Sequence, residues 1–199
     1  MLICATISER KDIFNTRRMI MEFTKLVEER RSIRAYREGT QVEQSVLEKL
    51  FRTVLQAPSW KNSETGRYYV VTSEEKLKEV KKNCLPEFNQ KRCVNAPVLI
   101  VTAFEKNLSG FNQEGNPENE LGNEWGAYDL GLQNAYLILK AKELGLDTLI
   151  MGLRDEEALR KTLDIPESQE VASVIALGYR ESDVTAPKRK ELDQVVTFF

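Results

Sequence analysis

Apolar residues along this chain recur in short blocks whose spacing alternates between that of helices and that of strands. The clearest block with helical spacing contains Val46, Leu47, Leu50, Phe51, Val54 and Leu55. Apolar positions at i, i+3 and i+4 over several turns indicate an amphipathic helix. We expect this helix to end at the step from Ala57 to Pro58, because a residue before proline avoids the α-helical region of backbone space.

The other blocks predict further strands and helices around this one. Apolar and β-branched runs predict strands at 68–71, 96–104, 147–151 and 171–177. Helical spacing predicts helices near 23–27, at 74–83 after the N-cap Ser73, at 125–144 and at 155–163. The strand at 96–104 lacks alternation, as expected where both faces are covered, and the apolar helix at 125–144 should be buried on most sides. The pattern therefore predicts an α+β or α/β domain in which helices cover a sheet.

Composition and charge limit the classes of partner. The chain has 199 residues, of which 41% are hydrophobic and 30% are charged, as in an ordinary globular domain. Its formal net charge is -2, with 29 basic and 31 acidic residues, so no overall positive field attracts nucleic acid or an anionic membrane. The apolar runs are far shorter than the roughly 20 residues that span a bilayer. We expect neither nucleic acid nor membrane as a partner, and we expect any anion site to be local.

Cysteine usage points to a reducing compartment. Cys4, Cys84 and Cys93 are odd in number and lack C-x-x-C spacing. They therefore suggest neither a disulfide framework nor a zinc site, and a cytoplasmic location fits best.

Residues 1–20 differ from the rest of the chain. Met19, inside this stretch, and Met21, just after it, are alternative start residues, and the apolar run of 1–20 is too short and too interrupted by charge for a secretory signal. We expect a flexible extension over 1–20 followed by one domain over 21–199. An amphipathic arm that packs on a partner is the alternative.

The chemistry available to side chains is narrow. The sequence contains no histidine, which excludes Ser-His-Asp and Cys-His catalysis and most zinc sites, so we expect no metal centre. Neither the G-x-G-x-x-G fingerprint nor the G-x-x-x-x-G-K-[ST] loop occurs. A protein without reactive groups of its own can still catalyse if a cofactor supplies them. The run ERRSIRAY at 29–36 holds three arginines, which repel one another unless an anion lies between them.

Several segments, taken together and in order, resemble the nitroreductase family of FMN flavoproteins. They are ERRSIRAY at 29–36, APSWKN at 57–62, FNQKRCVNAPVLIVTA at 88–103, the helix around 129–145, the strand ending at 150–152, IPES before the strand ending at 177–179, and PKRKELDQVV at 187–196. The resemblance implies a nitroreductase-like, FMN-dependent α+β fold, an α/β sandwich with a central mixed sheet covered by helices. It also implies an intertwined homodimer with FMN sites at the subunit interface.

The resemblance also implies roles for individual residues. Phosphate and ribityl oxygens would be held by Arg30, Arg31, Ser32, Lys188 and Arg189. The flavin ring would be met by Arg34 at its pyrimidine edge, by Asn89 and Arg92 at its polar edge, and by the backbone of Met151 and Gly152 near N5. The flavin of the other subunit would be reached by Pro58, Ser59 and Asn62, and the apolar tail 195–199 would lie along that subunit.

Several of these residues also have a purely structural interpretation. Paired arginines at a helix end are commonly a solvated cap, and the basic run at 188–190 is commonly a solvated surface. Asn62 and Gly152 are ordinary turn residues. The occurrence of the segments together and in one order favours the cofactor interpretation.

The chain departs from the family pattern in two places. Residues Glu64, Thr65 and Gly66 stand where family members commonly have Gln-Pro-Trp, which makes this wall more polar. Residues 105–123 are rich in Gly, Asn and Glu, match no family motif, and predict a long loop or a short irregular helix. Loops of this length are often functional, so we expect this one to set substrate choice.

The function implied by the resemblance is hydride transfer from NAD(P)H through FMN to an electron-poor small molecule, such as a nitroaromatic or a quinone, by a ping-pong mechanism. Arg34 and Arg92 would stabilise negative charge on the reduced ring, and no general base is required. The alternatives are a flavin carrier or sensor without turnover, a flavoenzyme with other chemistry such as reductive dehalogenation or flavin fragmentation, and a helix-rich interaction module without a cofactor.

Overall fold

Four antiparallel strands form the centre of the structure, a computed structural model that describes residues 22–199. The strands are β1 (Gly66–Val71), β2 (Val98–Glu105), β3 (Asp147–Met151) and β4 (Gln169–Gly178), and their order across the sheet is β1-β2-β4-β3. All four predicted strands are therefore present. The prediction for residues 1–20 lies outside the described residues.

The two central strands are buried on both faces, as the sequence predicted for 96–104. Along β2, Leu99 and Val101 belong to one hydrophobic cluster, while Val98 and Ile100 belong to the other. Successive side chains of a strand point to opposite faces, so this alternation shows that each face of the sheet supports its own core. The α+β class is confirmed.

Six α-helices and two short 3-10 turns complete the described part of the chain. The helices are α1 (Phe23–Glu29), α2 (Gln44–Val54), α3 (Glu74–Cys84), α4 (Glu87–Arg92), α5 (Glu124–Glu143) and α6 (Glu156–Leu163), and the 3-10 turns are Trp60–Asn62 and Leu192–Gln194. Ser73 caps α3 as predicted, since its hydroxyl accepts from the amide of Lys76. None of the helices in this part of the chain has the length and apolar character needed to cross a membrane.

Three details differ from the sequence-based expectations. Helix α2 ends at Val54, before the step from Ala57 to Pro58, because the residues after it continue only as tight turns. Helix α4 was not predicted. Helix α5 is buried on one face only, with Tyr128 and Tyr136 on its exposed side.

Parallel pairing, which a mixed sheet requires, is limited in residues 22–199 to one isolated bridge between Ser32 and Thr148. There the amide of Ile33 donates to the carbonyl of Thr148 at 3.0 Å. Tyr36 continues the contact, since its hydroxyl donates to the carbonyl of Ala176 on β4. The segment that follows α1 is thus fixed to the β3 side of the sheet.

A buried ion pair holds the end of the sheet next to this segment. Arg180 donates to both carboxylate oxygens of Asp147, at 2.7 and 2.6 Å, and the Asp147 side chain is 5% exposed. These hydrogen bonds raise the pKa of Arg180 above its ordinary value. The backbone carbonyl of Arg180 also accepts from the side chain of Arg37, so the pair links the strand ends to the N-terminal segment.

Replacing Asp147 with Ala should lower the free energy of unfolding by about 3 kcal/mol, because Arg180 is left partly buried without its partner. The matched control is Asp183→Ala. Asp183 pairs with the same arginine but is 97% exposed, so its loss should cost about 1 kcal/mol or less. Urea denaturation followed by circular dichroism measures both, and equal losses would contradict the assigned role of Asp147.

Candidate cofactor site

A cavity of about 320 Å³ lies between the segment after α1 and the segment after β4. Four arginines and four small or apolar residues line it: Arg30, Arg31, Ser32, Arg34, Val184, Thr185, Pro187 and Arg189. The fold therefore brings together the two basic segments that the sequence placed near opposite ends of the domain.

The charges around this cavity are not compensated within the described chain. In residues 22–199, none of the four arginines forms an ion pair with a carboxylate. Burial lowers the pKa of Arg30, and the neighbouring charges of Arg189 and Arg31 lower it further. Groups of like charge that disfavour one another in this way are stabilised by an anion bound among them.

Arg31 caps the end of α1 with one nitrogen and has a second, buried nitrogen without a partner in the described chain. Its Nη1 donates to the carbonyls of Glu28 and Arg30 at the end of α1, the latter at 2.7 Å. This contact matches the structural interpretation of the paired arginines as a cap at a helix end. Its Nε is buried and has no hydrogen-bond partner among residues 22–199. A buried donor without an acceptor is costly, so the structure fits an additional oxygen ligand at this point.

The other basic residues of the predicted site are more peripheral. Arg34 is exposed and donates from Nη1 to the carbonyl of Ser32 at 3.2 Å. Lys188 is exposed and is not a lining residue, although its neighbour Arg189 is. Val184 and Thr185 could not be predicted as lining residues, since their only signal was their position just before the segment PKRKELDQVV. Pro187 is the first residue of that segment but was assigned no role.

Asn89 has a partner that the sequence did not reveal. It is 3% exposed, and its Nδ2 donates to the carbonyl of Leu153 at 2.9 Å. It therefore ties α4 to the turn after β3, where buried Met151 and exposed Gly152 lie. Arg92 is exposed and stacks over the ring of Phe88 at 5.0 Å.

The predicted contacts at Pro58, Ser59 and Asn62 belong to a separate part of the chain. These residues do not line the arginine cavity of the described chain. Asn62 Nδ2 donates to Glu64 Oε1 at 2.8 Å, and the amide of Glu64 donates to the Ser59 hydroxyl at 3.0 Å. Lys61, Asn62 and Glu64 all have left-handed backbone conformations, with φ of 45°, 56° and 49°. Conformations of this kind cost energy and are common at functional sites.

The comparison with known proteins agrees with the fold. The sequence model of the nitroreductase family matches residues 27–179, and this chain belongs to that family. A protein of Archaeoglobus fulgidus, provisionally named NADH dehydrogenase/NAD(P)H nitroreductase, is 29% identical over 171 residues, which are 81% of this chain and 87% of that protein. The resemblance seen in the sequence is confirmed.

Solved structures extend this similarity. An FMN-dependent nitroreductase from Clostridium difficile R20291 has a TM-score of 0.67 at 27% identity, covering 87% of this chain and 96% of that one. A provisionally assigned nitroreductase from Exiguobacterium sibiricum, solved in complex with FMN, has a TM-score of 0.80 at 18% identity, covering 90% and 98%. The second likeness establishes the fold, and the individual cofactor contacts in this chain stay predictions.

If the arginine cavity binds an anion, inorganic phosphate should raise the melting temperature of cofactor-free protein relative to chloride at matched ionic strength, because a ligand of the folded state stabilises it by mass action. The double substitution Arg31→Ala and Arg189→Ala should abolish this increase. The control pair Lys49→Ala and Arg52→Ala removes the same charge from the surface of α2 and should retain it. An increase that survives in the first variant would exclude the cavity as the anion site.

Proposed function

We propose that this protein is an FMN-dependent oxidoreductase that uses NAD(P)H to reduce electron-poor small molecules, such as nitroaromatics or quinones, by a ping-pong mechanism. The observation that carries the proposal is the arginine cavity, whose cations lack carboxylate partners in the described chain. When bound, FMN would supply the hydride chemistry that the side chains lack.

The residues of the cavity suit the phosphate end of this cofactor. Arg30, Arg31 and Arg189 would bind the phosphate, since a guanidinium group matches pairs of phosphate oxygens. The Ser32 and Thr185 hydroxyls can donate to phosphate or ribityl oxygens. Lys188 would contribute from the rim as a more distant charge.

The ring end would be served by residues near the end of β3. Arg34 would lie at the pyrimidine edge, and Arg92 would act with it to stabilise negative charge there. Asn89 would act mainly by holding the carbonyl of Leu153, which fixes the backbone at Met151 and Gly152. No proton transfer by a side chain is required, in keeping with a chain that has no histidine.

The site would be completed by a second copy of the chain. This is supported by the separation of Pro58, Ser59 and Asn62 from the arginine cavity within one chain. It is also supported by exposed apolar side chains on α1, α5 and the tail: Phe23, Tyr128, Tyr136, Val195, Phe198 and Phe199. Exposed apolar surface of this extent commonly marks an interface. We therefore propose a homodimer with an FMN site at each of its interfaces.

The purified protein should be yellow and contain stoichiometric FMN, and it should oxidise NADH or NADPH when menadione or nitrofurazone is added.

Arg31→Ala with Arg189→Ala should weaken FMN binding by several kcal/mol, since each charge-assisted hydrogen bond contributes about 1.5 to 3 kcal/mol. The surface pair Lys49→Ala and Arg52→Ala should not.

The visible spectrum and steady-state kinetics check these points. Bound FMN without turnover for either donor would favour a carrier or sensor. Protein that takes up no FMN would refute the proposal.

Deleting residues 190–199 should lower the FMN content and shift the protein toward monomer on dilution, because cofactor and dimer would stabilise each other. The full-length variant Val195→Ser with Phe198→Ser should reproduce the shift, whereas Asp193→Asn, also exposed, should not. Analytical ultracentrifugation with absorbance at flavin wavelengths measures both properties. A truncated monomer with a full complement of FMN would show that each site is built within one chain.

A further inference from the structure

The loop at 106–123 is ordered by its own hydrogen bonds. The side chain of Asn123 accepts from the amide of Asn107 at 2.8 Å, which closes the base of the loop. The amide of Glu118 donates to the carbonyl of Gly110 at 2.8 Å, across the loop. Gly110 has φ +83°, and a Cβ there would lie 2.6 Å from the carbonyl oxygen of Gly122, so the two sides of the loop approach closely only because this residue is glycine.

A buried carboxyl group joins this loop to residues 59–64, which we call the cofactor turn. Asp129, on α5, is 2% exposed. Its Oδ2 accepts from the amide of Trp60 at 2.9 Å and from the Ser109 hydroxyl at 2.5 Å. One oxygen atom therefore connects a helix, the loop and the cofactor turn.

Two further contacts connect the same parts. Lys61 Nζ lies 2.7 and 2.6 Å from the carboxylate oxygens of Glu118 in the loop. The ring of Trp60 packs on that of Trp125 at 4.6 Å, and Trp125 Nε1 donates to the side chain of Asn119 in the loop at 2.8 Å. The loop and the cofactor turn are thus held together at three places.

This connection bears on the strained backbone of the cofactor turn. Lys61, Asn62 and Glu64 are in left-handed conformations although none is glycine, and such conformations persist only where the surroundings determine them. The hydrogen bonds within the turn join Asn62, Glu64 and Ser59 to one another. Contacts to Asp129, Glu118 and Trp125 fix the turn relative to the loop and α5, and Arg67 on β1 donates to the carbonyl of Glu64 at 2.9 Å.

We propose that Asp129 is a positioning residue that holds the cofactor turn in place against the 106–123 loop and thereby sets how Ser59 and Asn62 meet the flavin. This inference rests on the proposed function for the role of Ser59 and Asn62. The connection itself does not depend on it. The carboxyl group gives the Trp60 amide and the buried Ser109 hydroxyl an acceptor, which an apolar side chain could not do.

Ser109→Ala tests the proposal without altering the cofactor turn. No hydrogen bond in residues 22–199 joins Ser109 to the turn directly, and the shortest hydrogen-bonded path between them runs through Asp129. Amide exchange of the peptide 57–66 should become at least about tenfold faster, as expected for the loss of a hydrogen bond to a charged group. The dissociation constant of FMN should also rise about tenfold.

The matched control is Ser173→Ala. Ser173 is also a buried serine, and its hydroxyl is bonded to Thr102 inside the sheet. It should lower overall stability without changing exchange of the 57–66 peptide or the affinity for FMN. Equal exchange of that peptide in the two serine variants would overturn the proposal, since Ser109 would then have only a general structural effect.

A double-mutant cycle identifies the route. If Ser109 acts through Asp129, then Asp129→Ala and the double variant with Ser109→Ala should have the same exchange rate in 57–66, while Asp129→Asn, which keeps an acceptor oxygen, should recover most of the protection. Effects that add would overturn the assignment. If Asp129→Ala does not fold, the two serine variants and Asp129→Asn decide the question.

The outcomes separate this inference from the proposed function. Wild-type protein that binds no FMN would refute the proposed function, yet the exchange measurements would still decide whether Asp129 connects loop and turn. Protein that binds FMN and turns over normally, with no difference between the serine variants, would refute only the role of Asp129.

Discussion

The pairing of β2 with β4 is the contact on which the rest of the structure depends. Both strands are buried on both faces, so their register fixes two cores at once and leaves β1 and β3 as the edges. The segment with the arginines attaches beside β3 through Ser32 and Tyr36, and the chain that leaves β4 passes Arg180 and reaches Arg189. The arginine cavity is therefore a product of the sheet, although none of its lining residues belongs to a strand.

Two features of the arginine cavity cost folding free energy. Arg31 and Arg189 lie close enough to Arg30 to disfavour its charge, and the buried Nε of Arg31 lacks an acceptor in the described chain. Neither feature stabilises the protein alone. Sites built for a ligand commonly oppose stability in this way, and the deficit is offset by the cores on the two faces of the sheet.

Much of the fold could be predicted from the sequence because the spacing of apolar residues agreed with their burial in the structure. The strand at 147–151 and the Ser73 cap of α3 follow from residues whose local preference matches their final environment. The short helix α4 has little periodicity to detect, and the end of α2 depends on turns that tertiary packing selects. In the site, motif residues such as Arg31 could be found, but the partners of Asn89 and Asp129 lie far along the chain and left no local signal.

The two segments that form the cavity are attached to the sheet differently from the strands themselves. Ile33 and Tyr36 of the first segment are buried in the core, whereas residues 181–199 are all exposed and contribute little to it. Regions with few buried contacts open at a lower free energy than the global unfolding of the protein. The C-terminal wall of the cavity can thus open while the sheet stays folded, and a ligand bound to both segments would protect residues 181–199 from proteases.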